Sequence, residues 1–488
     1  MGDRSCQRVN SALSQVLDGR PIIASRQGVG KLAAQDGFDM GLEMAYNTAD
    51  WCSGLFVSIL NVSCIKGGAY SMGKTFAEKI LALKAGLDES VPGQIVTVQP
   101  DRLLTHDNTS AIAKTFRKIG VDRVANPEMN VIILDHVVPA ANETYAQSHK
   151  ETREFVQEHG IGAFYDVGEG ICHQVLPEQG HALPGMLIVG SDSHTPSHGA
   201  FGAYAAGIGR TEAAAVMATG EIWLRVPDSL RIEVSGEMPA RVSAKDLVLH
   251  IIGDIGADGA DYMSVEFTGP AIETMSIAGR QVLCNMAAEM GAKNGYVAPD
   301  ETTRRWLAGR TDAAYDEILP DKDAQYARVL HYDVADLVPQ IAKPHRVDNV
   351  VPVTEAAGLQ INQALIGTCT NGRLEDLRAA AEILRGKKIA PWVRLLVLPA
   401  SREILLAAME AGVVADLVKA GATLLNPGCG PCLGAHEGCM APGERTISTA
   451  NRNFKGRMGS REAEIYLGSP ATVAASALKG EITDPRTV

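Results

Sequence analysis

The chain has 488 residues, enough for about three domains. Its 46% hydrophobic and 21% charged residues are those of a globular protein, and a formal net charge of −12 argues against a general nucleic-acid binder, which needs a basic footprint. The longest apolar run, Gly54 to Ile65, is shorter than the roughly 18 residues of a membrane span and is interrupted by Ser and Asn.

Met1 to Arg20 lacks the apolar core of a secretory leader, and Asp3, Asp18, Asp36 and Asp39 speak against a transit peptide. We therefore expect a cytoplasmic protein with no membrane contact. In that reducing compartment, nine cysteines at irregular spacing are metal ligands or reactive groups rather than disulfides.

Residues 1–71 read as a separate N-terminal extension of unknown role, either a small accessory segment or an over-extended gene start. Gly67, Gly68 and Ser71 form a junction, and a well-formed beginning sits at Met72. Thr75 and Glu78 have capping-box spacing, Phe76, Ile80 and Leu83 come next at helical spacing, and Gly86 is a terminator. Beyond it, short apolar runs alternate with helical patterns, which predicts α/β layers. Val131–Leu134, Met186–Val189, Ala364–Ile366 and Leu395–Leu398 read as buried parallel strands. Three of them run into Asp135-His136, Ser191-Asp192-Ser193-His194 and Thr368-Cys369-Thr370-Asn371, where open α/β sheets bind ligands. A second segment begins near Leu230, with a strand at Arg231–Val234 and a helix capped by Ser243-Ala244-Lys245-Asp246. Arg304 to Val351 is charged and poorly patterned, as expected of a linker before a third domain.

The strongest chemical signal is Asn426-Pro427-Gly428-Cys429-Gly430-Pro431-Cys432, a C-x-x-C in a Gly/Pro-rich turn, with Cys369 at a strand end 60 residues before Cys429. Three converging thiolates suit zinc if Cys439 or His436 is a fourth ligand, or an iron–sulfur cluster with one open iron; C-x-x-C alone also suits a redox dithiol. Cys6, Cys52, Cys64, Cys172 and Cys284 read as buried small hydrophobes. Asp135 beside His136, and Asp192 two before His194, place carboxylates against imidazoles, which raises their pKa and fixes their tautomer. His173 lies in a Gly-rich loop, whereas His149, His159, His331 and His345 sit in polar stretches and read as surface. In Asn451-Arg452-Asn453-Phe454-Lys455-Gly456-Arg457, two arginines five apart suit carboxylate recognition.

With these motifs in hand, residues 72–488 are identified as resembling the large subunits of the aconitase superfamily, especially those of 3-isopropylmalate dehydratase and homoaconitase. The matching words, in the family's order, are Thr105-His106-Asp107, Leu134-Asp135-His136, Gly170-Ile171-Cys172-His173-Gln174, Gly190-Ser191-Asp192-Ser193-His194-Thr195-Pro196, Leu283-Cys284-Asn285 through Glu289-Met290-Gly291, Gly367-Thr368-Cys369-Thr370-Asn371, Gly428-Cys429-Gly430-Pro431-Cys432 and Asn451-Arg452-Asn453-Phe454. The resemblance implies three doubly wound α/β domains, at 72–229, 230–345 and 346–488, around a central iron–sulfur site. It implies one [4Fe–4S] cluster per chain on Cys369, Cys429 and Cys432, and demotes Cys439. It also implies that Asp135-His136 protonates a leaving hydroxyl, and that Asp192 pairs with His194 and Glu289 with His173.

By the same carry-over, Asn285 and Asn451 would hydrogen-bond cluster or substrate, Arg452 and Arg457 would hold substrate carboxylates, and His106 and Ser193 would lie at the substrate pocket. Single-chain relatives carry a further domain with a serine base. No such word occurs here, so a separate small subunit is expected to supply that swivelling domain. The implied activity is a hydro-lyase acting on a hydroxy di- or tricarboxylic acid, first 3-isopropylmalate dehydratase in leucine biosynthesis, with homoaconitase or a methyl-substituted malate dehydratase as alternatives. An iron–sulfur sensor or electron carrier, and an RNA binder, are the contrasting classes.

Overall fold

The structure, a computed structural model, describes residues 73–488. The expectations for residues 1–71, and for Cys6, Cys52 and Cys64, lie outside the described residues. The described chain opens on the helix Phe76–Lys84, where Thr75 and Glu78 form the reciprocal cap their spacing announced.

Three sheets with parallel cores carry the structure. The first orders Ala163–Tyr165, Asn130–Ile133, Arg102–Thr105, Leu187–Gly190 and Tyr204–Gly207, all parallel. Asn130–Ile133 and Leu187–Gly190 are buried along their whole length, which is why they read as continuous apolar runs rather than alternating ones. The chain winds outward in opposite directions from Arg102–Thr105, so a topological switch point falls between it and Leu187–Gly190. The rule for open α/β sheets places a binding crevice there, beyond the carboxyl ends.

A second, four-stranded sheet orders Asn294–Val297, Ser264–Thr268, Ser229–Ser235 and Arg328–Asp333, again parallel. The helix Ala244–Ile255, capped by Ser243 and Asp246, belongs to this region. The third sheet has seven strands, with Gln363–Gly367 between Arg445–Ser448 and Arg394–Leu398, and its winding also reverses at that central strand. Two antiparallel strands, Gln340–Ala342 and Val350–Pro352, close one edge.

The stretch from Arg304 to Val351 is therefore not a bare linker. It supplies Arg328–Asp333 to the edge of the second sheet and Gln340–Ala342 to the third. Arg328–Asp333 is largely exposed, so it lacks the apolar alternation that marks a half-buried strand. Among the described residues, no helix is long and apolar enough to cross a membrane.

Candidate active site

Both switch points discharge reactive side chains. In the first sheet Thr105 leads to His106 and Asp107, Ile133 to Asp135 and His136, and Gly190 to Asp192 and His194. In the third, Gly367 leads to Cys369 and Ser448 to Asn451 and Arg452.

The first group forms one continuous chain of carboxylates and imidazoles. Nδ1 of His136 meets Oδ1 of Asp135 at 2.6 Å, and the other Asp135 oxygen accepts from the Cys172 N–H at 2.8 Å. Nε2 of His136 lies 3.4 Å from Oδ2 of Asp192. Oδ1 of Asp192 receives Nε2 of His173 at 2.7 Å and the backbone N–H of His194 at 2.8 Å. Nε2 of His194 then pairs with Oε1 of Glu289 at 2.8 Å, and Arg452 donates Nε to the same oxygen at 2.8 Å. This corrects the expected partners. Glu289 pairs with His194, and Asp192 makes its short side-chain bond to His173, keeping only a 3.5 Å contact with Nδ1 of His194.

These contacts decide the charges. Burial works against protonated His136, but Asp135 and then Asp192 outweigh it and lift its pKa well above the ordinary histidine range. Burial likewise opposes ionised Asp192, yet the hydrogen bonds from His136 and His173 hold its carboxyl well below the usual range. His194 is raised against its burial by Asp192 and Glu289, and Glu289 is lowered against its burial by His194 and Arg452. The His106 ring stacks on His136 with centroids 3.8 Å apart. Burial, then the His136 charge, takes His106 down to about 4, so a neutral ring lies on the charged His136. Its Nδ1 is buried with no partner among the described residues. Ser193 is exposed.

The three thiols lie close to this chain, Cys369 near Asp192, Cys429 near Asp135 and Cys432 near His194. Thr368 holds φ +73°, a strained conformation for a β-branched residue, and so turns Cys369 out of the strand. The preceding Gly367 admits no side chain, because a Cβ there would strike the Leu398 carbonyl. Asn285 and Asn451 donate Nδ2 to the Cys369 sulfur at 3.2 and 3.4 Å, and to fix that pose Asn451 also donates to Oδ1 of Asn285. Nη2 of Arg457 lies 3.8 Å from the Cys432 sulfur. Burial, then the neighbouring Cys432, pushes Cys369 up to about 12, whereas the Cys429 thiol, and further on Arg457, favour the thiolate on Cys432. Buried thiols that repel one another as anions, and already face amide and guanidinium donors, are a donor set matched to a cationic iron–sulfur group. Cys439 is exposed and bonded to the Gly434 carbonyl, and Cys172 and Cys284 are fully buried, as expected.

Sequence reasoning missed several supports. Lys245 is fully buried and donates Nζ to the Thr449 and Ala450 carbonyls at 3.0 and 2.7 Å, tethering the loop that carries Asn451 and Arg452. Arg373, also buried, donates to the Thr370 and Cys369 carbonyls and to Gln174. His149 and His159, read as surface, are buried at 2% and 3% exposure. His149 donates to Asp107, and His159 packs between Phe116 and Phe155. A lysine inside an otherwise apolar helix face was the available signal for Lys245.

Two reversed-order parallel sheets therefore bring a chain of carboxylates and imidazoles and three cysteines together beyond their carboxyl ends, the layout of an enzyme site in an α/β protein. The sequence model of the Aconitase family (aconitate hydratase) matches residues 78–358 and 354–480, and the chain belongs to this family. Membership implies an iron–sulfur cluster. Among its relatives, "3-isopropylmalate dehydratase large subunit 1" of Methanopyrus kandleri is 54% identical over 416 residues, 85% of this chain and 99% of that one. The "Probable methanogen homoaconitase large subunit" of Methanosarcina mazei is 54% identical over 389 residues, 80% of this chain and 99% of that one. "3-isopropylmalate dehydratase large subunit 1" of Pyrococcus furiosus is 48% identical over 420 residues, 85% and 99%.

Proposed function

We propose that the chain is the cluster-bearing large subunit of a cytoplasmic hydro-lyase that removes water from a hydroxy di- or tricarboxylic acid and re-adds it at the adjacent carbon, with 3-isopropylmalate dehydratase as the first reading. The carrying observation is the unbroken chain from Asp135 through His136, Asp192 and His194 to Glu289 and Arg452, lying against three thiols. In this reading Cys369, Cys429 and Cys432 hold a [4Fe–4S] cluster. When bound, the cluster supplies a Lewis acid that weakens the carbon–oxygen bond of the substrate.

The protein's own groups do the rest. His136 carries the proton for the leaving hydroxyl on Nε2, because Asp135 engages Nδ1 and Asp192 keeps the ring charged. His173 orients Asp192, and His194 is clamped by Glu289. Nδ1 of His106 and Nε of Arg457 are buried without a partner among the described residues, and in this reading Arg452 and Arg457 take the substrate carboxylates. Asn285 and Asn451 solvate the Cys369 sulfur, and in this reading exposed Ser193 contributes to substrate binding. Residues 72–229 and 230–345 would act as two α/β units and 346–488 as a third, with the correction that Gln340–Ala342 joins the sheet of the third.

The words "large subunit" in the relatives' names support a small-subunit partner that completes the site with the proton-abstracting group. A homoaconitase-type substrate is the second reading, favoured by the equal identity to the Methanosarcina mazei protein. The test is anaerobic reconstitution with iron and sulfide, then assay of 3-isopropylmalate and of homocitrate with and without a small subunit. We expect a brown protein whose turnover requires the partner. A protein that takes up only zinc, or that turns over neither acid with any partner, overturns the proposal.

A further inference from the structure

The acid–base chain leaves one buried carboxylate unused. Asp107 comes directly after the stacked His106, and its side chain is 8% exposed. Its Oδ2 accepts the backbone N–H groups of Asp135 and His136, each at 2.8 Å, and its Oδ1 accepts the Val137 N–H at 3.0 Å. A fourth donor, Nε2 of His149, reaches Oδ1 at 2.9 Å from the helix Glu143–His159. Three consecutive amides thus converge on one anion, and charge-assisted bonds of this kind are the strong ones. Burial opposes the Asp107 charge, but His149 and His136 hold its carboxyl well below the usual range.

The far edges of the same peptides face the thiol loop. The Asp135 carbonyl accepts the Cys429 N–H at 2.7 Å, and the His136 carbonyl accepts the Gly430 N–H at 3.1 Å. Gly428 closes this contact from the other side, since a Cβ there would come within 2.9 Å of the Asp135 carbonyl. An amide that donates to a carboxylate becomes a better acceptor through its carbonyl, so the bonds on the two edges reinforce each other.

From this geometry we infer that Asp107 is a positioning residue that holds the His136 imidazole and the Cys429 thiol in one frame, with His149 as its anchor. The inference rests on the roles given to His136 and Cys429 under Proposed function. It predicts that breaking the carboxylate loosens both loops together while sparing Cys369, which hangs from a different strand. Asp107→Asn is the direct perturbation, because an amide nitrogen must face either the Asp135 and His136 donors or the Val137 and His149 donors.

Two readouts are needed. In the cluster-free chain, alkylation by iodoacetamide is tracked cysteine by cysteine with mass spectrometry, using exposed Cys439 as internal reference. Losing one charge-assisted set of bonds should speed Cys429 by about tenfold or more and leave Cys369 within about twofold. In the cluster-loaded protein with its small subunit, kcat should fall by about tenfold or more with KM within about twofold. His149→Gln keeps an N–H donor and should stay near wild type in both readouts, whereas His149→Phe should show the Asp107→Asn selectivity more weakly.

Equal acceleration of Cys369 and Cys429, or no acceleration of either, would reduce Asp107 to a general fold stabiliser and overturn the inference. If Asp107→Asn does not fold, the His149→Phe and His149→Gln pair decides on the same criterion. Selective release of Cys429 in a chain that turns over no hydroxy acid would leave the frame standing and remove the functional reading instead. Lost turnover with unchanged Cys429 reactivity would do the reverse.

Discussion

Replacing Asp192 by Asn alters the one atom that faces His136. The carboxylate divides its work: Oδ1 receives His173 and the His194 amide, while Oδ2 faces Nε2 of His136 at 3.4 Å. An asparagine placed with its carbonyl at Oδ1 keeps the first two bonds. Its Nδ2 then sits opposite Nε2 of His136 and welcomes that nitrogen only when it is unprotonated, because two N–H donors cannot face each other. The substitution therefore selects the neutral ring, with Nδ1–H still bound to Asp135, and removes the proton that the proposed mechanism needs. A unit charge at 3.4 Å interacts with about 5 kcal/mol at an effective dielectric of about 20. Most of this offsets desolvation, and the net value of a hydrogen bond to a charged group is about 1.5–3 kcal/mol.

That range corresponds to about a 10- to 150-fold loss in the charged donor, and we expect kcat to fall by about 100-fold once transition-state proton transfer is included. Stability should change by no more than about 1 kcal/mol, since the retained Oδ1 bonds carry the packing. The assay is ultraviolet detection of the unsaturated acid at saturating substrate, on cluster-loaded protein with its small subunit, across pH. The activity limb that reports loss of the His136 proton should move to lower pH in the variant. Wild-type kcat with an unmoved limb would show that Asp192 does not maintain the proton on His136.

The neighbouring contacts set three further outcomes. Asn285→Ala removes the 3.2 Å donor to the Cys369 sulfur, worth about 0.5–1.5 kcal/mol, and should speed chelator-driven iron loss by about 2- to 10-fold; an unchanged release rate refutes the contact's role. Lys245→Met leaves the Thr449 and Ala450 carbonyls without their buried donor and should lower unfolding free energy by at least about 2 kcal/mol in urea melts, more than the near-neutral effect of replacing an exposed lysine. Glu266, which accepts from the Phe76 amide and the Tyr326 hydroxyl, is raised by burial to about 7 from 4.5. Between those values only the native carboxyl keeps its proton, so stability falls as pH rises, by about 3 kcal/mol from this group, and Glu266→Gln should flatten that part of the melting profile.

How much of this was legible in the sequence depends on how local each constraint is. The buried strands and their polar ends could be read because a parallel strand covered on both faces is a continuous apolar run, and the residues just past its carboxyl end must emerge at the crevice. The pairing of the imidazoles could not. Asp192 and His194 lie two residues apart, which invites a local side-chain pair, but it is the backbone amide of His194 that takes the carboxylate. That bond starts the turn into the 3-10 helix Thr195–Phe201 and swings the imidazole toward Glu289, 95 residues away. His149 was hidden for a related reason. The helix Glu143–His159 is polar on most positions, and the inward turn of His149 has meaning only once Asp107 is known to lie beneath it. Lys245 shows the same limit from the apolar side: two carbonyls from a loop 204 and 205 residues later make its burial tolerable. Spacing within a word therefore identifies which groups reach the pocket, while the direction each one faces is fixed by backbone donors and acceptors that come from other words.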